Sequence, residues 1–162
     1  MITLAIDPGY ERLGIAVVEK THTSKETVLF SECFRTSAKL DFYERLLLIG
    51  SRISEVIEKY SPTALSIENL FISNNQKTAM RVSEVRGVVI YLAKKSGLII
   101  YEFTPLQIKS AVTGNGKSSK EEMIKMVGLL TKNSLKNKPV LDDEFDAIAI
   151  GLAYFAYNKL TV

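Results

Sequence analysis

The sequence predicts an α/β fold built on a mixed five-stranded sheet, three antiparallel strands followed by two parallel ones, with helices on both faces. Three observations predict it. The first third of the chain consists of short apolar runs bounded by turn residues, the pattern of a strand meander. The rest has helical spacing interrupted by two further strand-like runs, each reached through a helix, as right-handed parallel crossovers require. The length of 162 residues, with 46% apolar and 24% charged side chains, suits one domain spanning 1–162, without repeats, low-complexity segments or linkers.

Ile2–Ile6 is an apolar run of strand formers that Asp7-Pro-Gly-Tyr ends, and Leu13–Val18 follows it as the second arm of a hairpin with a loop of about five residues. After the polar turn Lys20–Lys25, which carries the solitary His22, a third strand is expected at Thr27–Phe34. Leu40, Tyr43, Leu46, Leu47, Ile53, Val56, Ile57 and Tyr60 then recur at helical spacing until Ser61-Pro62 stops them. Thr63–Ile67 is the fourth strand and Glu68 ends it.

A helix follows from about Gln76 to Lys95. Its second half is apolar nearly all round, so it must be covered on two sides, within the domain or by a second subunit. Leu98–Phe103 is the fifth strand. Thr104-Pro-Leu-Gln107 opens a helix with a capping box and a proline at its first position, and that helix stops near Gly114. Ser118 or Ser119, each with a glutamate three residues on, opens the next; a lysine-rich loop follows, and the last helix runs from about Asp143 to Asn158.

Composition excludes several classes of function. No apolar run approaches the roughly 18 residues of a membrane span. The first residues lack the pattern of a secretory leader, and the chain is expected to be cytoplasmic. One cysteine, Cys33, and one histidine rule out a disulfide framework and a Cys/His zinc site, so any metal must be held by oxygen. The net charge of +3 is uninformative, but its distribution is not. Seven lysines stand between Thr104 and Lys138 against Glu121 and Glu122, and the sign then reverses at Asp142, Asp143, Glu144 and Asp146. That stretch reads either as a solvated basic face or as a phosphate-contacting surface beside a carboxylate cluster.

The acids are the informative residues. Asp7 and Glu68 end the first and fourth strands, and neither fits the apolar run it closes. If those strands are parallel neighbours, both side chains leave the sheet at its carboxyl edge, where open α/β sheets bind ligands. Asp143 and Asp146, three residues apart, share one face of the last helix. Singly, each has an ordinary reading: acids in a first helical turn gain ~0.3–1 kcal/mol from the helix dipole, and Asp-Pro-Gly opens turns. Together they form a site whose carboxylates stay ionised only with cations between them. Magnesium suits such an all-oxygen site, and a pair of ions can activate water and stabilise the leaving oxygen of a phosphodiester.

With these residues in place, the chain resembles the RuvC family of bacterial Holliday-junction endonucleases. Asp7-Pro-Gly with Gly14, Tyr43-x-x-Leu46, Tyr60-x-Pro62, Glu68-x-x-Phe71, Asn75, Arg86-Gly87, Lys109, Gly114-x-Gly116-x-x-x-Lys120 and Asp143-x-x-Asp146-Ala147 carry the resemblance in order over nearly the whole chain. It implies a ribonuclease-H-like fold and a homodimer that cuts two strands of a four-way DNA junction symmetrically, using Mg2+, for which Mn2+ substitutes. Asp7, Glu68, Asp143 and Asp146 would be the metal-binding catalytic acids. Lys109 and Lys120 would stand near the scissile phosphate, and Phe71 would stack on unpaired bases. Asn75, Lys77, Arg81 and Lys117 complete the expected DNA contacts, and the helix around Met80–Leu92 would form the dimer contact. A branch-migration helicase complex is a further candidate partner.

The chain departs from the family pattern in three places. Asn74 stands where a basic residue is frequent, with Lys77 one turn later. Ser118 replaces a usual alanine, and Asp142 adds an acid beside Asp143. The rival readings are a ribonuclease-H-like nuclease acting on structured RNA, like the YqgF proteins, and a junction-binding module without chemistry. A kinase-like phosphate-binding piece would need a second large domain.

Overall fold

In the computed structural model the five strands form one sheet in the order β3-β2-β1-β4-β5. They are β1 (Ile2–Asp7), β2 (Arg12–Glu19), β3 (Thr27–Arg35), β4 (Ala64–Glu68) and β5 (Ile99–Phe103). β1 pairs antiparallel with β2, as β2 does with β3, whereas β4 runs parallel to β1 and β5 parallel to β4. This is the mixed sheet expected from the sequence. The structure describes residues 1–21, 25–70, 76–131 and 142–158; His22, Phe71, Asn74, Asn75, Lys132, Lys136 and Lys138 lie outside the described residues. Among the described residues no helix is long and apolar enough to cross a membrane.

The helices are α1 (Phe42–Tyr60), α2 (Gln76–Lys95), α3 (Pro105–Thr113), α4 (Lys120–Leu130) and α5 (Asp142–Tyr157). Several boundaries have a local cause. Asp41 and Glu44 close a capping box on α1, and Ser61 ends that helix in the left-handed region at φ 46°. Thr104 and Gln107 form the box expected on α3, with Pro105 inside the first turn. Of the two serines that could open α4, Ser119 does so, with Glu122 as its partner. Ser118 is buried instead, its hydroxyl 2.7 Å from that of Thr113.

Strand alternation sorts the core into two layers. Leu4, Ile6, Ile15, Val17, Leu65 and Ile67 face α1 and α2, where Ile49, Ile53, Val85 and Val89 cover them. Ala5, Ala16, Val18 and Ala64 face the other way, toward α5. The residues on that side are small because α5 lies very close to the sheet. A Cβ on Gly151 would stand 2.6 Å from a Val18 methyl. A Cβ on Gly14 would stand 2.1 Å from the Asp143 carbonyl oxygen and 3.0 Å from the Asp7 Cβ. Gly14 is therefore where the first turn of α5 rests on the sheet.

The expectation of two covered sides on α2 is met on one side only. Val85, Val89 and Ala93 are buried on the sheet. The other side meets α1 across an open groove lined by Tyr43, Leu46, Leu47, Val88, Tyr91 and Leu92. Tyr43 is 71%, Leu47 70% and Tyr91 65% exposed, so nothing within the described chain completes this surface.

Because the added Cβ must displace the Asp143 backbone and crowds the Asp7 Cβ, Gly14→Ala is expected to cost about 1–3 kcal/mol and to move the start of α5. A urea midpoint unchanged from the parent's would show that the close approach is relaxed at little cost.

Candidate active site

One row of residues crosses the sheet beneath the start of α5. Cys33 pairs with Gly14, Gly14 with Asp7, and Glu68 with Phe103. The β1–β4 register, Thr3 with Ala64 and Ala5 with Ser66, sets Asp7 beside Glu68 two residues further on. Alternation points both acids to the α5 side, the side that Ala5 and Ala64 share. The sequence expectation that strand-end acids leave the sheet at one edge is thus realised by parallel pairing and parity together.

Helix α5 brings the second pair of acids. Asp143 has its backbone over Gly14, and its Oδ2 lies 3.4 Å from Arg12 Nε and accepts a hydrogen bond from the Cys33 thiol at 3.5 Å. One turn on, Asp146 accepts a 2.5 Å hydrogen bond from the ammonium of Lys120, the first residue of α4. Asp142 is exposed at the helix start. Glu68, Asp146, Lys109 and Lys120 line one cleft of about 200 Å³ with Pro105, Ile108 and Met123. Arg86, a residue of α2, donates to the Glu68 carbonyl oxygen and lies 3.3 Å from Glu102 of β5, bracing the ends of β4 and β5.

The electrostatics are those of crowded anions. Burial, and then the charges of Glu68, Asp146 and Asp143, push Asp7 from 3.8 up to about 7, with Lys120 opposing. Glu68 is also raised, by burial and Asp146, against Arg86 and Lys120. Burial works against the charged form of Lys120, but its hydrogen bond to Asp146 and the attraction of Asp146, Asp142 and Asp7 outweigh this and raise it. All four acids offer hard oxygen ligands, the donor set that magnesium requires. Among the described residues no three acids are gathered round one point as a closed cage. Asp143 and Asp146 are instead paired with cations of the protein itself.

The remaining expected DNA contacts are dispersed. Lys77 and Lys117 are exposed. Arg81 stacks over the Phe42 ring at 3.8 Å and pairs with Glu84 at 3.6 Å. Phe71 and Asn75 fall outside the described residues. Sequence reasoning overlooked Arg12 and Cys33 as neighbours of the acids and took Arg86 only as a motif letter. The Asp7–Gly14 pairing would have exposed the first two, since Arg12, Gly14 and Cys33 share the α5 side.

Residues 3–154 match the family model for crossover junction endodeoxyribonuclease RuvC. The chain belongs to the RuvC family. A RuvC of Brachyspira hyodysenteriae is 38% identical over 160 residues, covering 99% of this chain and 97% of its own. That of Thermosipho melanesiensis is 40% identical over 150 residues, covering 93% and 94%. Among solved structures, Thermus thermophilus RuvC in complex with a Holliday junction substrate superposes with a TM-score of 0.90 at 32% identity, covering 99% of this chain and 96% of that one. The yeast mitochondrial Holliday junction resolvase, 15% identical with a TM-score of 0.71, shares the fold.

Because the folded protein holds the Asp7 proton up to about pH 7 while the unfolded chain loses it near 3.8, stability falls as pH rises through that window. Above pH 7 the penalty is complete. Asp7→Asn is therefore expected to stabilise the protein at pH 8 in chelator, by up to ~4 kcal/mol, and to make no difference near pH 3.5. Equal melting temperatures at pH 8 would show that the fold does not hold the Asp7 proton as described.

Proposed function

We propose that this RuvC-family chain is a magnesium-dependent endodeoxyribonuclease that resolves four-way DNA junctions by paired symmetric cuts. In this reading Asp7, Glu68, Asp143 and Asp146 hold the metal, and Lys109 and Lys120 contact the scissile phosphate. The observation that carries it is the convergence of Asp7, Glu68 and Asp146 on one sheet edge, near enough to raise the first two acids, with both lysines lining the same cleft. The junction substrate bound by the Thermus relative supports the choice of DNA.

Divalent ions bound there would activate a water and neutralise charge on the leaving oxygen. The protein's own groups do the rest. Asp7 and Glu68 sit on neighbouring strands, which fixes their separation to that of a parallel pair. Arg86 anchors the Glu68 backbone, so the carboxylate is presented from a braced strand end. The ammonium of Lys120 is within reach of Asp146 and opens onto the cleft, where it can meet a phosphate oxygen instead. Lys109 projects into the same cleft from α3 and offers a second positive charge to the scissile phosphate.

Paired cutting needs two identical sites related by a two-fold axis, which an isologous dimer supplies. The uncovered groove between α1 and α2, with exposed Tyr43, Leu47 and Tyr91, supports that role as the dimer surface.

The deciding experiment incubates the protein with an immobile synthetic junction, a linear duplex and a structured RNA, with Mg2+ and with chelator. Symmetric nicks in the junction alone, dependent on Mg2+, are expected; preferential cleavage of the RNA would favour the YqgF-like reading. Lys109→Ala should lower junction turnover at least tenfold while leaving the melting temperature unchanged, and undiminished turnover would remove Lys109 from the site. Leu47→Glu with Tyr91→Glu should give a monomer mass by light scattering and abolish simultaneous paired cuts. A parent that is itself monomeric at micromolar concentration would overturn the dimer.

A further inference from the structure

We infer that Arg12 is an internal counter-ion that competes with divalent metal for Asp143, and so a positioning residue that sets how readily the site loads. The inference rests on the reading that Asp143 is a metal ligand. Asp143 Oδ2 is engaged by Arg12 Nε at 3.4 Å and by the Cys33 thiol at 3.5 Å, and the carboxylate does not line the cleft that Glu68 and Asp146 share. Its backbone rests against the sheet, with the Asp143 carbonyl over Gly14. Rotation about its side-chain torsions gives the carboxylate two positions: on Arg12, as seen, or toward Asp7, Glu68 and Asp146.

The two partners at Oδ2 are not equivalent. Cys33 is a weak thiol donor with no positive charge to oppose an incoming cation. Arg12 is a permanent positive charge. Its side chain is 56% exposed against 19% for Asp143, so it can swing into solvent when the carboxylate leaves. The next acid along the helix repeats the arrangement, since Asp146 is held by Lys120. Each member of the i,i+3 pair thus has its own resident cation, one from β2 and one from α4. A divalent ion that recruits Asp143 through Oδ2 displaces Arg12, and the lost ion pair subtracts from its affinity.

The test is Mn2+ titration of the full chain by calorimetry, comparing the parent with Arg12→Gln, Arg12→Met and Arg12→Lys. Loss of an exposed ion pair should tighten binding about two- to fivefold in the Gln and Met variants, while Lys, which keeps the charge, stays near the parent. In an Asp143→Asn background the Arg12→Gln exchange should change nothing, which a merely structural role would not produce. Equal or weaker Mn2+ binding by the Gln and Met variants overturns the inference and makes Arg12 a bystander or a support for Asp143. Absence of Mn2+ binding by the parent overturns the metal reading itself, a separate result.

Discussion

Burial and crowding of carboxylates at one edge of the sheet form the constraint around which this molecule is arranged. Asp7 stands partly buried among Glu68, Asp143 and Asp146, and its affinity for a proton rises to about 7 in consequence. No packing gain requires acids there. The fold tolerates them because positive charge is brought to three of the four: Lys120 from α4 to Asp146, Arg12 from β2 to Asp143, and Arg86 from α2 to the Glu68 main chain. Those cations come from three separate elements, so the repulsion is offset only once the whole tertiary structure has formed. The site destabilises the scaffold, and function retains it.

Geometry at this edge is set by backbone rather than by side-chain choice. A parallel β1–β4 pair fixes Asp7 relative to Glu68, and the antiparallel β1–β2–β3 ladder extends the same row to Gly14 and Cys33. The absence of a side chain at Gly14 lets the Asp143 carbonyl settle on the sheet, and Gly151 does the same two turns later against Val18. A larger residue at either point would lift α5 and carry both of its aspartates away from the strand-end acids. Ala5 and Ala16 between them are small for the same reason. Precision at the site is thus a packing property of the small-residue face.

Much of this was legible in the sequence because it is local. Alternation and helical spacing announced the order of elements, Thr104 with Gln107 announced a helix start, and acids closing apolar runs at Asp7 and Glu68 announced an edge. What escaped was non-local. Arg12 and Cys33 meet Asp143 through strand register and a helix more than a hundred residues away, and neither register nor docking is written in a single stretch of chain. Arg81 looked like a free basic residue until α1 placed Phe42 under its guanidinium. The second apolar side of α2 was expected to be covered, and the structure shows that α1 leaves it open.

The start of α5 shows how rotation about a helix assigns roles that composition leaves undecided. Asp142, Asp143, Glu144 and Asp146 crowd one turn, where the helix dipole favours negative charge and offsets part of their repulsion. Successive residues point about 100° apart, so they cannot share a fate. Asp142 is exposed, and Glu144 is only 2% exposed, accepting a 2.5 Å hydrogen bond from the Ser31 hydroxyl. Ser31 and Cys33 alternate along β3 on the side facing α5 and grip Glu144 and Asp143 respectively. That double contact fixes the rotation of the helix about its own axis. With the rotation fixed, Asp143 and Asp146 are the acids whose charges reach Asp7, while Asp142 acts at longer range on Lys120. A buried glutamate thus helps decide which aspartates face the strand-end acids.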